Sequence, residues 1–173
     1  MKKLLALGML ITTFLTGCAT TTGTNPQTSI SKFDGVKSVG IQAHGGACKD
    51  FTCPMLGATW LDNQPNNVGF SVKVTNLIAN IHTVSFNIDG EIITINAVSK
   101  TDFNQEFGLN YSSTVVVTNY SLLTKILQSK RTWMKVSTSK GAYEVAIIDG
   151  ATDSKAFHAL KRFDTQVKEA SKN

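Results

Sequence analysis

Alternating hydrophobic and polar positions run through most of the chain, and they predict a protein built mainly from strands. Val68, Phe70, Val72 and Val74 alternate with small or polar residues, which is typical of a strand that buries one face. Similar segments bounded by turn-forming residues recur along the chain. The predicted strands, about eight in number, cover residues 36–43, 57–62, 68–75, 84–88, 91–95, 112–118, 134–138 and 143–147.

Two of the intervening turns predict hairpins with a defined register. Asp89-Gly90 suits a two-residue type I′ turn, because both central positions of that turn need a positive φ. The second hairpin is predicted with Lys140-Gly141 as its turn, and it places Lys135 and Glu144 on one face, on neighbouring pairs. The predicted pairs are Phe86 with Ile93 and Val84 with Ile95 in the first hairpin, and Met134 with Ile147, Val136 with Val145 and Thr138 with Tyr143 in the second.

A short segment after the sixth predicted strand has helical periodicity. Leu122, Leu123, Ile126 and Leu127 recur at helical spacing. Asn119 precedes them and is a suitable N-cap, because its side chain can accept a hydrogen bond from a free backbone N–H of the first turn.

The C-terminal segment predicts a longer amphipathic helix over residues 154–170, with Asp153 or Thr152 as its cap. We expect its apolar arc to dock on a sheet, although a helix lying on a membrane surface shows the same pattern. The arc contains Ala156, Phe157, Ala159, Leu160, Phe163, Val167 and Ala170.

Together these elements predict an α+β fold that is mainly β. Sequential hairpins favour an antiparallel, curved sheet or a sandwich, accompanied by the short helix and the amphipathic C-terminal helix. No internal repeat divides the chain, so a single globular β-rich domain over residues 33–173 is expected.

The first residues follow a different pattern, typical of an export signal. Lys2 and Lys3 precede an apolar run of 12 residues, 4–15. At 1.5 Å per residue a helical run of this length spans about 18 Å, well short of a hydrocarbon core of about 30 Å. The run therefore predicts a signal peptide rather than a permanent spanning helix.

The end of this run, Leu15-Thr16-Gly17-Cys18, resembles the lipobox of bacterial lipoproteins. The resemblance implies removal of residues 1–17 and attachment of fatty acyl chains, such as palmitate, to Cys18. Ala19, directly after the cysteine, is similar to the residue at this position in lipoproteins sorted to the outer membrane. The resemblance therefore implies a protein that is lipid-anchored at the outer membrane of the cell envelope, with its domain in the periplasm. Residues 18–32 are mainly polar and small, and they predict a flexible tether between anchor and domain.

The charge and cysteine content limit the function further. Without Lys2 and Lys3 the chain keeps 15 basic residues against 12 acidic ones, a surplus too small to indicate nucleic-acid binding. Of the 3 cysteines, lipidation of Cys18 leaves Cys48 and Cys53. In an oxidising compartment these two are expected to form a disulfide. The bridge would close a tight loop with Phe51 near its tip.

The residues around that loop are also the main candidates for chemistry. His44-Gly45-Gly46 resembles the oxyanion segment of lipases and esterases, but the Gly-x-Ser-x-Gly nucleophile motif of those enzymes is absent from the sequence. His44, Cys48 and Cys53 lack the second ligand pair of a structural zinc site, and the cysteine spacing differs from the redox Cys-x-x-Cys motif. No catalytic residue, metal or cofactor is therefore assigned.

Residues 113–167 combine a strand, a Leu-rich helix, a hairpin and a final helix, and this order resembles the C-terminal part of the invasion-associated locus B family of secreted β-rich proteins. The paired cysteines of that family are missing from this stretch. The domain itself is not assigned to a family.

The sequence thus favours a non-enzymatic lipoprotein that binds an envelope protein or an anionic envelope component, or that maintains the envelope. The alternatives are an envelope hydrolase acting on peptidoglycan or lipid, with His44 and nearby acidic residues at its centre, and an inhibitor or immunity-type protein. The candidate partner-binding loop comprises His44, Lys49, Asp50 and Phe51.

Overall fold

The structure is a computed structural model that describes residues 23–106 and 108–172. In these ranges the chain forms eleven strands and two helices. The predicted signal peptide, the predicted lipidation site Cys18 and the start of the predicted tether lie outside the described residues. The elements are β1 (Gln27–Ile30), β2 (Lys37–Gly45), β3 (Pro54–Leu61), β4 (Asn67–Thr75), β5 (Ile81–Ile88), β6 (Glu91–Asn96), β7 (Asp102–Glu106), β8 (Leu109–Asn119), α1 (Tyr120–Gln128), β9 (Arg131–Thr138), β10 (Gly141–Asp149), β11 (Thr152–Asp153) and α2 (Lys155–Ala170).

The strands form two antiparallel sheets that curl around one hydrophobic core. The six-stranded sheet has the order β1-β2-β3-β4-β8-β7, and the five-stranded sheet has the order β11-β10-β9-β5-β6. Phe70 of β4 and Phe86 of β5 meet across the core with their ring centroids 5.7 Å apart, and both are fully buried. The predicted α+β, mainly β, antiparallel fold with a C-terminal helix is confirmed, with eleven strands rather than eight.

The Asp89-Gly90 hairpin has the predicted register, with Phe86 opposite Ile93 and Val84 opposite Ile95. Both turn residues have positive φ, 49° for Asp89 and 101° for Gly90. The turn is fixed from outside as well, because Asp89 Oδ1 accepts a hydrogen bond of 2.8 Å from the Arg131 N–H at the start of β9.

The predicted register of the second hairpin is wrong by two residues. Thr138 pairs with Gly141, so the turn is Ser139-Lys140 instead of Lys140-Gly141. Thr138 Oγ1 fixes this turn by accepting the Lys140 N–H at 3.1 Å and donating to the Gly141 carbonyl at 2.9 Å. Because the error is two residues, every side chain keeps its predicted face. The observed pairs are Met134 with Val145, Val136 with Tyr143, and Lys135 with Glu144.

Both predicted helices are present. Asn119 caps α1 as predicted, accepting the Ser121 N–H at 2.9 Å. The cap of α2 is Ser154, which accepts the Phe157 N–H at 3.1 Å, and not Asp153 or Thr152. The physical reason is that Asp153 and Thr152 are already paired with β10 as strand β11.

Helix α2 packs on β2 and β3 through the predicted arc, all seven residues of which are buried. Its polar side also holds residues 23–30, which we call the N-terminal segment. Arg162 donates to the Thr24 carbonyl at 3.1 Å, and Gln166 donates to Thr28 Oγ1 at 3.3 Å. The structure thus differs from the predicted tether over residues 23–32, where β1 pairs with the edge of β2. Strand pairing uses backbone groups, so a polar, exposed segment can join a sheet edge without an apolar pattern.

Candidate functional site

The predicted disulfide between Cys48 and Cys53 is confirmed, and it closes the loop between β2 and β3, with the two Cα atoms 5.6 Å apart. The base of the loop is held by the neighbouring strand. Thr75, at the end of β4, donates through Oγ1 to the Phe51 carbonyl at 3.0 Å and accepts the Cys53 N–H at 3.2 Å. The backbone of the loop is therefore fixed at both its cysteine closure and its side.

The side chains at the tip of this loop, in contrast, extend into solvent. The Phe51 side chain is 90% exposed, and its neighbours Lys49 and Asp50 are also exposed. A rigid backbone that displays an aromatic ring next to two residues of opposite charge is an arrangement suited to binding, because little conformational entropy remains to be lost on association. Three of the four predicted partner-binding residues are thus together at the tip.

His44, the fourth predicted member, lies elsewhere. It is only 8% exposed, and both ring nitrogens are used inside the protein. Nδ1 lies 2.7 Å from the Gln42 carbonyl, and Nε2 accepts the Thr24 N–H at 3.0 Å. A backbone N–H can only donate, so Nε2 is the acceptor and Nδ1 carries the proton. His44 therefore fastens the N-terminal segment to β2, and it belongs to that seam and not to the loop tip.

A bulge in β2 sets the position of His44. The pairing with β3 shifts between Ile41 and His44, so β2 has one more residue than its partner at this point. Gly57 of β3 lies against the bulge. A Cβ at this position would come within 2.6 Å of the Ile41 carbonyl and 2.7 Å of the Ala43 nitrogen, both backbone atoms. The lack of a side chain at Gly57 thus allows the backbone approach that turns His44 inward.

A shallow depression of about 610 Å³ lies beside His44, and Asp153 and Ser154 also line it. Each of these potential catalytic groups has another partner. The Asp153 carboxylate contacts His158 Nε2 at 2.8 Å, and Ser154 Oγ donates to the Ile147 carbonyl at 2.8 Å while capping α2. The three side chains consequently form no nucleophile–base pair, which a hydrolase site would need.

The described residues also contain no group of three or more His, Cys, Asp or Glu side chains placed to hold a metal ion. In the same part of the chain, no helix has the length and apolar character needed to span a membrane.

Tyr120 and Asp164 join α1 to α2 through a 3.0 Å hydrogen bond. Burial, and then the charge of Asp164, raise the pKa of Tyr120 above its ordinary value. This pair is a link between the helices and lies outside any cleft described here.

A second surface was missed by sequence reasoning. On the outer face of the five-stranded sheet, a depression of about 400 Å³ is lined mainly by Ser85, Asn87, Ile92, Trp133, Lys135 and Glu144. We call it the Trp133 trough. Side chains alternate between the two faces of β9, so Trp133 points to the face opposite the buried Met134. This alternation was the only indication of the trough in the sequence. The floor and walls come from three other strands, whose order cannot be read from that alternation.

The outer face of the six-stranded sheet also has an aromatic residue, Tyr111, in a depression of about 580 Å³. There the Lys73 ammonium lies 3.9 Å from the centre of the Tyr111 ring, and it also contacts Glu106 at 3.1 Å. The cation covers the ring face, so this depression offers less aromatic surface to a ligand.

Comparison with known proteins found no protein-family model, curated protein or solved structure that matches this chain. Its function must therefore be argued from its own residues.

Proposed function

We propose that this protein is a lipid-anchored envelope protein whose domain binds a protein partner in the periplasm through the Cys48–Cys53 loop. The observation that carries the proposal is Phe51, 90% exposed at the tip of a loop whose backbone is fixed by the disulfide and by Thr75. Exposed aromatic residues on rigid loops are typical anchors of protein interfaces, where the ring fills an apolar recess of the partner.

The charges beside Phe51 suit a mixed surface. Lys49 and Asp50 are of opposite sign and exposed, so they would contribute to the polar rim around the buried ring. The recess of the partner should accordingly be apolar and ringed by both charge signs, rather than strongly acidic or basic.

The alternative of a hydrolase centred on His44 is less well supported. A general base needs a free nitrogen lone pair within reach of its substrate. The Nε2 lone pair of His44 already accepts the Thr24 N–H, and Nδ1 contacts the Gln42 carbonyl. An activity dependent on His44 would require the N-terminal segment to leave its place.

The anchor part of the proposal depends on the lipobox at Cys18. The disulfide supports it indirectly, since such bridges persist in oxidising compartments. Intact-mass analysis of the protein from cells tests it. We expect loss of residues 1–17 and the added mass of acyl chains on Cys18, and a Cys18→Ala variant should lack both. A wild-type protein with an unprocessed, unacylated N-terminus would refute the anchor.

The loop is tested by site-specific photo-crosslinking in cells with the full chain. A photoreactive phenylalanine analogue replaces Phe51 in one variant and Phe33 in the other. Phe33 is a matched control, because it is 98% exposed but lies in a turn away from the disulfide. We expect a discrete adduct from position 51 only. Adducts of equal yield at both positions, or none at position 51, would refute partner binding through this loop.

A further inference from the structure

The trough on the outer face of the five-stranded sheet has the features of a ligand site. We propose that the Trp133 trough binds a neutral β-1,4-linked oligosaccharide. This inference is separate from the proposed function, because the trough and the Cys48–Cys53 loop share no residue.

The trough results from side-chain size on adjacent strands. Ser85 and Asn87 of β5 are short and form the floor. They lie between two taller rows, with Ile92 of β6 on one side and Trp133 and Lys135 of β9 on the other. The result is an open channel along the strands, with a volume of about 400 Å³, which suits a segment of an extended chain more than a compact ligand.

The orientation of Trp133 is fixed by its polar atom. Indole Nε1 donates to Asp149 Oδ2 at 3.0 Å, so the ring needs no further hydrogen bond. Arg131 lies 5.9 Å from the ring centre, near the limit for a cation–π contact, and it approaches far less closely than Lys73 approaches Tyr111. A half-buried indole whose polar atom is already satisfied offers its aromatic surface to apolar C–H groups.

Each charged side chain that lines the trough has a counter-charge as its partner. Lys135 and Glu144 form an ion pair of 3.0 Å, and Arg131 and Asp149 form one of 3.4 Å. A charged ligand would have to compete with these pairs for its own counter-charge. A ligand with hydroxyl or amide groups can instead accept from the cations and donate to the carboxylates without separating them.

The floor supplies neutral hydrogen-bonding groups that are already oriented. Asn87 Oδ1 accepts the Gly90 N–H at 3.0 Å, and Ser85 Oγ lies 2.8 Å from Thr94 Oγ1. The amide group of Asn87 and the hydroxyl of Ser85 are thus positioned by the hairpin before any ligand arrives.

These features select the ligand class. Sugars joined by β-1,4 bonds form a flat ribbon whose pyranose faces present C–H groups and whose edges present hydroxyl or acetamido groups. The faces suit an indole, and the edges suit the paired charges, Asn87 and Ser85. A peptide that added a strand to the edge of β6 would need free backbone groups on β6 and no indole, so its binding would not depend on Trp133.

Tryptophan fluorescence can test the proposal, because the chain has 2 tryptophans. Trp60 is only 3% exposed and donates to the Pro65 carbonyl at 3.1 Å. In a full-chain Trp60→Phe variant, Trp133 is the only tryptophan. We expect a saturable change in its emission with cellotetraose and with tetra-N-acetylchitotetraose. The anionic β-1,4-linked tetramannuronate should bind at least about tenfold more weakly.

Variants locate the binding. By calorimetry with the same probes, Trp133→Ala should weaken binding by at least about tenfold, and Trp133→Phe, which keeps an aromatic ring, by less. Circular dichroism of both variants checks the fold, and Trp133→Phe keeps the test valid if Trp133→Ala does not fold. The matched controls Tyr111→Ala and Phe51→Ala should bind as the wild type does.

The proposal is overturned if neither neutral tetrasaccharide changes the Trp133 emission, if tetramannuronate binds as tightly as they do, or if a folded Trp133 variant keeps full affinity. If the Phe51 crosslink fails while saccharides still bind, only the proposal of partner binding through the loop is refuted. If the crosslink forms but saccharides do not bind, only the proposal of saccharide binding in the trough is refuted.

Discussion

The outer faces of the two sheets contain the same three kinds of side chain, yet they differ in whether the aromatic ring is covered or accessible to a ligand. The depression on each face is lined by an aromatic residue, a lysine and a glutamate, among other residues. On the six-stranded sheet, Lys73 lies over the Tyr111 ring and contacts Glu106. On the five-stranded sheet, Lys135 pairs with Glu144, and Trp133 is fixed instead through its Nε1.

Strand register explains the difference. Lys73 pairs with Ser113, two residues from Tyr111 on β8, so the lysine reaches the ring diagonally across the strands. Lys135 is two residues from Trp133 on the same strand and directly opposite Glu144 on β10. The nearest counter-charge therefore draws the lysine away from the indole. The comparison shows that register, more than composition, decides whether an aromatic side chain is covered or available to a ligand.

The largest expected effect comes from the core that supports both faces. Phe86→Ala removes one ring of the Phe70–Phe86 contact between the sheets. We expect a loss of about 3–5 kcal/mol in the free energy of unfolding, since the cavity adds to the lost burial. Urea denaturation followed by circular dichroism measures it. Phe103→Ala, at a ring 48% exposed on β7, is the control and should change stability by less than about 0.5 kcal/mol. Equal effects of the two variants would contradict this position of the core.

Loss of the disulfide should lower the stability less than Phe86→Ala does. It should not change the outer face of either sheet. The paired change Cys48→Ser and Cys53→Ser frees a loop with a sequence separation of 5. Loop entropy for so short a ring predicts a loss of about 2 kcal/mol. The urea midpoint of the wild type with and without reductant gives an independent value. If reduction altered the Trp133 emission, the loop and the trough would be coupled, contrary to their separation in the fold.

Much of the fold could be predicted because local patterns determine it. The Asp89-Gly90 turn fixed one hairpin register, and the seven-residue arc fixed the buried face of α2. The strands that were missed, β1, β7 and β11, have exposed side chains throughout. Their pairing depends on free backbone groups of a neighbouring edge, which leave no hydrophobic signature in the sequence.

The candidate site was only partly predictable for a related reason. Cysteine spacing indicated the loop and its exposed Phe51, because both belong to one short segment. The role of His44 depends on Thr24, 20 residues away, and on the bulge opposite Gly57. The Trp133 trough needs β5, β6, β9 and β10 side by side, and this order follows from the whole topology.

Tyr120 provides a smaller effect and a pH dependence. Tyr120→Phe removes its hydrogen bond to Asp164, and we expect a loss of about 1 kcal/mol at neutral pH. Because the folded-state pKa of Tyr120 is raised above its ordinary value, its contribution is complete below about pH 10 and decreases as pH rises beyond that. The stability difference between wild type and variant, measured by urea denaturation from pH 7 to 11, should therefore shrink at the alkaline end. A constant difference would contradict the raised pKa.

The smallest expected effect tests the comparison of the two faces directly. Lys73→Met removes the cation over Tyr111 and its contact with Glu106, and since both groups are partly exposed, stability should change by less than about 1 kcal/mol. The Tyr111 ring should nevertheless become more accessible, and its rate of modification by tetranitromethane, followed by peptide mass analysis, should rise.

Lys135→Met is the matched change on the other sheet. Lys135 pairs with Glu144 and does not lie over the indole, so acrylamide quenching of Trp133 in the Trp60→Phe background should stay close to its original value. If Lys135→Met exposed Trp133 as much as Lys73→Met exposes Tyr111, both aromatic side chains would be covered alike. The difference in register would then not explain why the Tyr111 ring is covered and the Trp133 ring is not.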